Sequence, residues 1–214
     1  TSFIYDVTSP TMTITASAGS SGSTTNSATI TLTFTSSEDM TGFVVGDIDV
    51  TNGGQLSNFQ SSTDKVYTAT LTNNGDATYT IDVDASEFTD DAGNNNQASN
   101  AYEWTYDSSA PGMTISSGTV NSGDTSNDAT IALIFTSTED TTSFAEGDIT
   151  VSGGSLSSFA GSDSTYTATF TPGGQGATSI SVGAGTYTDG AGNSNTVSNT
   201  FSWTFDSAAP TMTI

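Results

Sequence analysis

The sequence predicts an all-β chain of two tandem antiparallel sandwiches, and three observations carry that expectation. Apolar and polar residues alternate with period two along most of the chain, as in half-buried strands. Clusters such as "NGG", "NNGD" and "DDAGNNN" interrupt the alternation, and no long run shows the 3.6-residue apolar period of a helix. The sequence also repeats: "YDVTSPTMTI" (residues 5–14) returns as "YDSSAPGMTI" (106–115) and "FDSAAPTMTI" (205–214). Tyr5 and Tyr106 stand 101 positions apart, and Tyr106 and Phe205 stand 99 apart, the spacing of tandem modules.

The elements follow in order through the first module, residues 8–107. Strands are expected over residues 11–17, 27–36, 43–51, 55–61, 66–73, 78–86 and 101–107. In "ATITLTFT", Ala28, Ile30, Leu32 and Phe34 point one way and Thr29, Thr31, Thr33 and Thr35 the other, because successive strand side chains face opposite sides. "GDI" precedes the third strand; Asp47, like Asp148 in the second copy, reads as a cap on the entering turn, with metal binding as the alternative. Tyr67, Ala69 and Leu71 face inward from the fifth strand, and Tyr79, Ile81, Val83 and Ala85 from the sixth. The last strand aligns Tyr102, Trp104 and Tyr106, which reads as core rather than as a sugar platform.

The second module, residues 108–206, repeats this pattern. Ile131, Phe135, Phe170, Ile180 and Trp203 stand where the first has Ile30, Phe34, Leu71, Ile81 and Trp104. Residues 1–7 read as the end of a preceding repeat and 207–214 as the start of a following one, so the chain reads as a window on a longer array. Seven short alternating strands in about a hundred residues is the pattern of an immunoglobulin-like sandwich. Without cysteine there is no intersheet disulfide, so the expectation concerns architecture alone.

Composition narrows the function. The chain has 23 acidic residues, one basic residue (Lys65) and no histidine, for a net charge of −22. Nothing can neutralise phosphates, so nucleic acid is excluded as a partner, and anionic membrane surfaces are disfavoured. No apolar run could insert into a membrane. Only 11% of residues are charged and about a third are Ser or Thr, a hydroxyl-rich surface suited to the outside of a cell. Without Cys or His, thiolate and imidazole metal ligands are absent, leaving oxygen donors for a hard cation.

"TFTSSEDMTGFVVGDIDVTNGGQLSNF", followed by "YTATLTNNGDATYTIDVDASEFTDDAGNNN", resembles the tandem bacterial Ig-like repeats of very large secreted surface adhesins of the biofilm-associated and RTX types. The resemblance covers essentially the whole chain, and "GDI", "YTAT" and "DxAGN" occur in order in both copies. It implies an extended extracellular rod, secreted or on the cell surface. Calcium would sit at the module junctions, and the partners would be neighbouring repeats of the same chain. A surface glycan or a host or biofilm ligand would be met through other modules.

The recurring phrase is then the joint between modules: an aromatic strand end, an aspartate, a short spacer, proline and a new strand. Proline holds its own φ and keeps the preceding residue extended, so the joint is short and stiff. Sandwich topology brings the loop after the second strand and the loop before the last strand to the pole where a module begins. For the first module these loops supply Glu38, Asp39, Asp90, Asp91 and Asn94, joined by Asp6. For the second they supply Glu139, Asp140, Asp189 and Asn193, joined by Asp107. Clustered carboxylates favour a cation between them, and calcium accepts oxygen ligands in irregular loop geometry. Taken singly, "DxAGN" is also good turn chemistry and "SSED" a solvated acidic loop; recurrence and convergence favour calcium.

The expected function is therefore a structural extender of an extracellular repeat protein, an adhesin stalk or filament stiffened by calcium. The alternatives are a carbohydrate-binding surface, marked by exposed aromatics, and an ice-binding one, marked by threonine arrays. An enzyme is not expected: paired carboxylates could serve a glycosidase, but there is no His, Cys or Arg to complete acid–base chemistry. Lys65 has no counterpart in the second copy, which argues against isopeptide stapling.

Overall fold

A computed structural model describes residues 5–214; residues 1–4 of the expected preceding-repeat fragment lie outside the described residues. The chain divides into two compact units, one ending at Ser108 and the other running from Ser109 to Ile214.

The first unit contains β1 (Met12–Ala16), β2 (Ser23–Thr25), β3 (Thr29–Ser36), β4 (Asp49–Val50), β5 (Gln55–Thr63), β6 (Val66–Thr72), β7 (Ala77–Asp82) and β8 (Tyr102–Tyr106). One sheet has the order β1-β3-β6-β5 and the other β2-β8-β7-β4. The second unit contains β9 (Met113–Ser117), β10 (Thr125–Ser126), β11 (Ile131–Ser137), β12 (Ile149–Ser152), β13 (Gly154–Ser162), β14 (Thr165–Pro172), β15 (Gly176–Val182) and β16 (Phe201–Phe205). Its sheets have the orders β9-β11-β14-β13 and β10-β16-β15-β12. Each unit is an immunoglobulin-like sandwich with its own apolar core.

Alternation explains the core. β3 buries Ile30, Leu32 and Phe34 while its exposed threonines pair across to β1 and β6, with Thr35 opposite Thr13 and Thr31 opposite Thr70. Ile30, Phe34, Leu71, Ile81 and Trp104 are all buried, as are Ile131, Phe135, Phe170, Ile180 and Trp203. Each large apolar side chain so buried contributes roughly 1.5–3 kcal/mol. The core polar groups are not equivalent in the two units. Trp104 donates its indole N–H to Thr25 Oγ1 at 3.0 Å. Trp203 Nε1 is buried with no hydrogen-bond partner among the described residues, because Ser126, at the place of Thr25, donates to Asp128 Oδ2 instead.

Several boundaries differ from expectation. Among the described residues each unit has eight strands: after β1 the chain crosses to the other sheet, where β2 runs parallel to β8, as β10 does to β16. The run expected as strand 43–51 is interrupted by a 3-10 turn over Val45–Asp47, leaving only Asp49–Val50 as strand. The run 78–86 stops at Asp82, and Ala85 is exposed rather than inward. The edge of β1 is covered by a side chain: Ile14 N–H donates to Asn100 Oδ1 at 2.8 Å, and Asn100 Nδ2 donates back to Ile14 O at 3.3 Å. Asn199 does the same to Ile115, so an edge that could template another strand is occupied.

Candidate metal centre

The strands β1, β3, β5 and β6 carry no charged residue, and the acidic groups concentrate in loops. In the first unit, the loop after β3 brings Glu38 and the loop before β8 brings Asp90 beside Asp6 on the incoming segment. One carboxylate oxygen from each of Asp6, Glu38 and Asp90 lies within 4.8 Å of the other two. Asp39, Asp91, Ala92 and Lys65 complete the lining of an open hollow of about 400 Å³.

Asp90 is the buried member, 4% exposed. Its Oδ1 accepts the N–H groups of Ala92 (2.9 Å) and Asn94 (2.8 Å), and its Oδ2 accepts Asn94 Nδ2 at 2.8 Å. Asn94 Nδ2 also reaches the carbonyl of Asp6 at 3.3 Å, bracing the incoming segment against the loop. The Asn94 side-chain bond, aided by backbone N–H bonds, holds the Asp90 carboxyl below its ordinary value against the opposing effect of burial. The carboxylate is thus held ionised by its own loop.

The other members are looser. Asp6 accepts the N–H of Thr8 at 2.9 Å, and Asp91 accepts the hydroxyl of Thr41 at 3.1 Å. Asp39 faces Lys65 Nζ at 4.0 Å, and Lys65 also donates to Ser37 O at 3.2 Å. The sole basic residue of the chain therefore stands at the rim of this acidic hollow; its counterpart in the second unit is Ser164, whose carbonyl accepts Ser137 N–H as that of Lys65 accepts Ser36 N–H.

The second unit builds the same loop. Asp189 is buried, its Oδ1 accepts three N–H groups, from Ala191 (2.9 Å), Gly192 (2.8 Å) and Asn193 (2.8 Å), and its Oδ2 accepts Asn193 Nδ2 at 2.9 Å. Glu139 brings a carboxylate oxygen within 4.8 Å of one from Asp189. Asp140 is exposed, and Asp107 closes the first unit, its N–H bonded to Thr25 O at 3.1 Å. Asp47 and Asp148 take the capping role: each accepts the N–H three residues upstream, Val44 at 2.7 Å and Ala145 at 2.8 Å.

Sequence reasoning missed the asparagine that anchors each loop. Asn96 Oδ1 accepts Phe88 N–H, and its Nδ2 donates to Asp84 O and Gln97 O. Asn195 repeats the arrangement with Thr186, Tyr187, Gly183 and Thr196. The signal was the second asparagine of "AGNxN", present in both copies.

The donor set fits a hard cation: all ligand candidates are oxygens, three carboxylates converge from separate segments, and one is held ionised before any ion arrives. The profile of the bacterial Ig-like domain matches residues 6–106 and again residues 107–205. The chain belongs to the bacterial Ig-like domain family. Its two Ig-like domains are similar in fold to InvD of Yersinia pseudotuberculosis, at 15% identity and a TM-score of 0.41 over 97% of this chain and 62% of that one. Adhesin InvE of the same organism gives 14% identity and a TM-score of 0.33 over 92% and 58%. The C-terminal domain of the antigen I/II polypeptide BspA of Streptococcus agalactiae gives 8% and 0.38 over 91% and 99%. The chain thus spans less than two thirds of the InvD and InvE structures. No curated protein matches the sequence. Among the described residues no helix is long and apolar enough to cross a membrane.

Proposed function

We propose that this pair of Ig-like domains is a structural spacer in an extracellular repeat protein, an adhesin stalk or filament. In this reading calcium, held by the acidic groups where one repeat meets the next, stiffens the array. The observation that carries it is the convergence of Asp6, Glu38 and Asp90 within 4.8 Å. Asp6 belongs to the segment entering the domain, whereas Glu38 and Asp90 belong to its loops, so a cation shared by the three ties the entering chain to the domain. Their mutual repulsion opposes that closure when no cation is bound. Asp107, Glu139 and Asp189 are the repeat counterparts and take the same roles in the second site. Calcium supplies positive charge and accepts six to eight oxygens, so Asp39, Asp91, the Asn94 and Asn193 carbonyls and water are available to complete its shell.

Tyr79, Trp104 and Trp203 are buried, so they form no stacking platform for a glycan. A repeated acidic loop without His, Arg or Cys fits a structural ion better than catalysis. The test is a thermal melt across a calcium titration at constant ionic strength. Calcium at about 10 to 100 times its dissociation constant adds roughly 1.4 to 2.7 kcal/mol per site. The melting temperature should rise in millimolar calcium and fall with chelator; an unchanged melt rejects the metal.

A further inference from the structure

The chain leaving each domain is tied down directly after its last strand. After β8, the N–H of Asp107 extends the ladder to Thr25 O, and the next residue turns to the β6–β7 hairpin. Ser108 donates both its N–H (2.9 Å) and its hydroxyl (2.8 Å) to Asp76 Oδ1. The tip that carries Asp76 is itself anchored. Asn73 Nδ2 donates to Ala28 O at 2.8 Å, and Gly75 N–H donates to Asn73 Oδ1 at 3.0 Å. The hydroxyl of Tyr79, whose ring is fully buried, accepts Asn74 N–H at 2.6 Å and donates to Gly75 O at 2.8 Å. Asp76 is therefore mounted on a turn pinned from the core.

The second domain reaches the same serine by different chemistry. Its hairpin reads "PGGQG" where the first has "NNGD", and Gln175 replaces Asp76. Gln175 Oε1 accepts Ser207 N–H at 3.1 Å and Nε2 donates to Ser207 Oγ at 3.5 Å, while Asp206 N–H pairs with Ser126 O at 2.9 Å. A carboxylate in one repeat and an amide in the other hold the residue after the joint aspartate, so the connection survives a change of side chain and of hairpin length. We propose that these hairpin tips are tethers for the outgoing linker. Asp76 and Gln175 are positioning residues that set how the chain leaves its domain with no cation bound, independently of the calcium reading.

The test uses the 214-residue chain, which lacks cysteine, with Ser61→Cys and Ser157→Cys spin-labelled, one exposed site in each unit, in chelator throughout. Asp76→Ala should broaden the distribution of label distances and speed amide exchange at Ser108 about tenfold, the equivalent of one ordinary hydrogen bond. Exchange at Tyr79 should stay unchanged. Asp76→Asn, which keeps the acceptor, should match the parent in both readouts. Unchanged exchange at Ser108, or faster exchange with an unchanged distance distribution, overturns the tether. So does exchange that accelerates equally at Tyr79, which assigns Asp76 to hairpin folding instead. A calcium-insensitive melt leaves this result untouched, so the two readings fail separately.

Discussion

Replacing Asn195 by alanine should cost more stability than removing any acidic ligand. The Asn195 side chain is 3% exposed and makes four well-formed bonds. Oδ1 accepts the N–H groups of Thr186 (2.8 Å) and Tyr187 (3.0 Å), and Nδ2 donates to Gly183 O (2.7 Å) and Thr196 O (2.8 Å). Alanine leaves the N–H groups of Thr186 and Tyr187 and the carbonyl of Thr196 without these bonds around a buried position, while Gly183 O keeps the Thr186 hydroxyl at 3.2 Å. At about 1 kcal/mol for each bond lost, and more for each donor that water cannot reach, the loss is about 3 to 5 kcal/mol. That is a large share of the roughly 5–15 kcal/mol that holds a domain folded. For about 100 residues it lowers the melting temperature by at least about 12 °C. The assay is urea unfolding followed by Trp203 fluorescence in a Trp104→Phe background, in chelator so that metal linkage does not enter. A loss below about 1 kcal/mol would refute the claim that Asn195 holds the loop by these bonds.

Three further outcomes follow from local differences between the repeats. Changing Ser126→Thr together with Asp128→Ser rebuilds the arrangement that satisfies Trp104, so Trp203 should gain a partner and the second unit about 1 kcal/mol; an unchanged unfolding midpoint, or an indole N–H that still exchanges freely, counts against it. Lys65 lies at the rim of the first hollow, half exposed, so Lys65→Ser should tighten calcium at that site by no more than about fivefold at low salt, with the gain fading as salt is added; calorimetry showing weaker binding would reverse the assignment. Asp90 is more acidic folded than unfolded, so its share of stability is present above the ordinary carboxylate value of 3.8 and is lost as pH falls through its lower folded value. Asp90→Asn should therefore flatten the acid limb of unfolding in chelator below the ordinary carboxylate value, and a limb as steep as the parent's would contradict this.

Much of the fold was legible because the two sides of a strand differ so plainly here. In Thr29–Ser36 the outward positions are threonine and the inward ones Ile, Leu and Phe, so face and register follow from period two alone. The third expected strand misled because "FVVGDIDV" alternates well enough, yet Asp47 takes Val44 N–H and turns the backbone into a 3-10 segment. The parallel contact of β2 with β8 was invisible, since it joins three residues to a strand about eighty positions away. At the acidic loops, residue type pointed to oxygen chemistry and the repeat showed which positions recur. The bracing did not show: Asn94 and Asn96 look alike as loop asparagines, and only the folded loop separates the one that spans Asp90 and Asp6 from the one that anchors the turn. The rim position of Lys65 likewise needed the β5–β6 hairpin to carry it to Asp39.

The central claim is that calcium turns a yielding joint into a stiff one, and small-angle X-ray scattering of the 214-residue chain tests it most directly. The titration should run into millimolar calcium at constant ionic strength, with chelator reversal and Asp107→Asn in parallel. The account predicts that calcium narrows the pair-distance profile of the parent to that of one extended body, that chelator broadens it again, and that Asp107→Asn stays broad at the same calcium. A parent profile identical with and without calcium, matched by that of Asp107→Asn, would contradict it and leave the joint to proline, packing and the hairpin tethers.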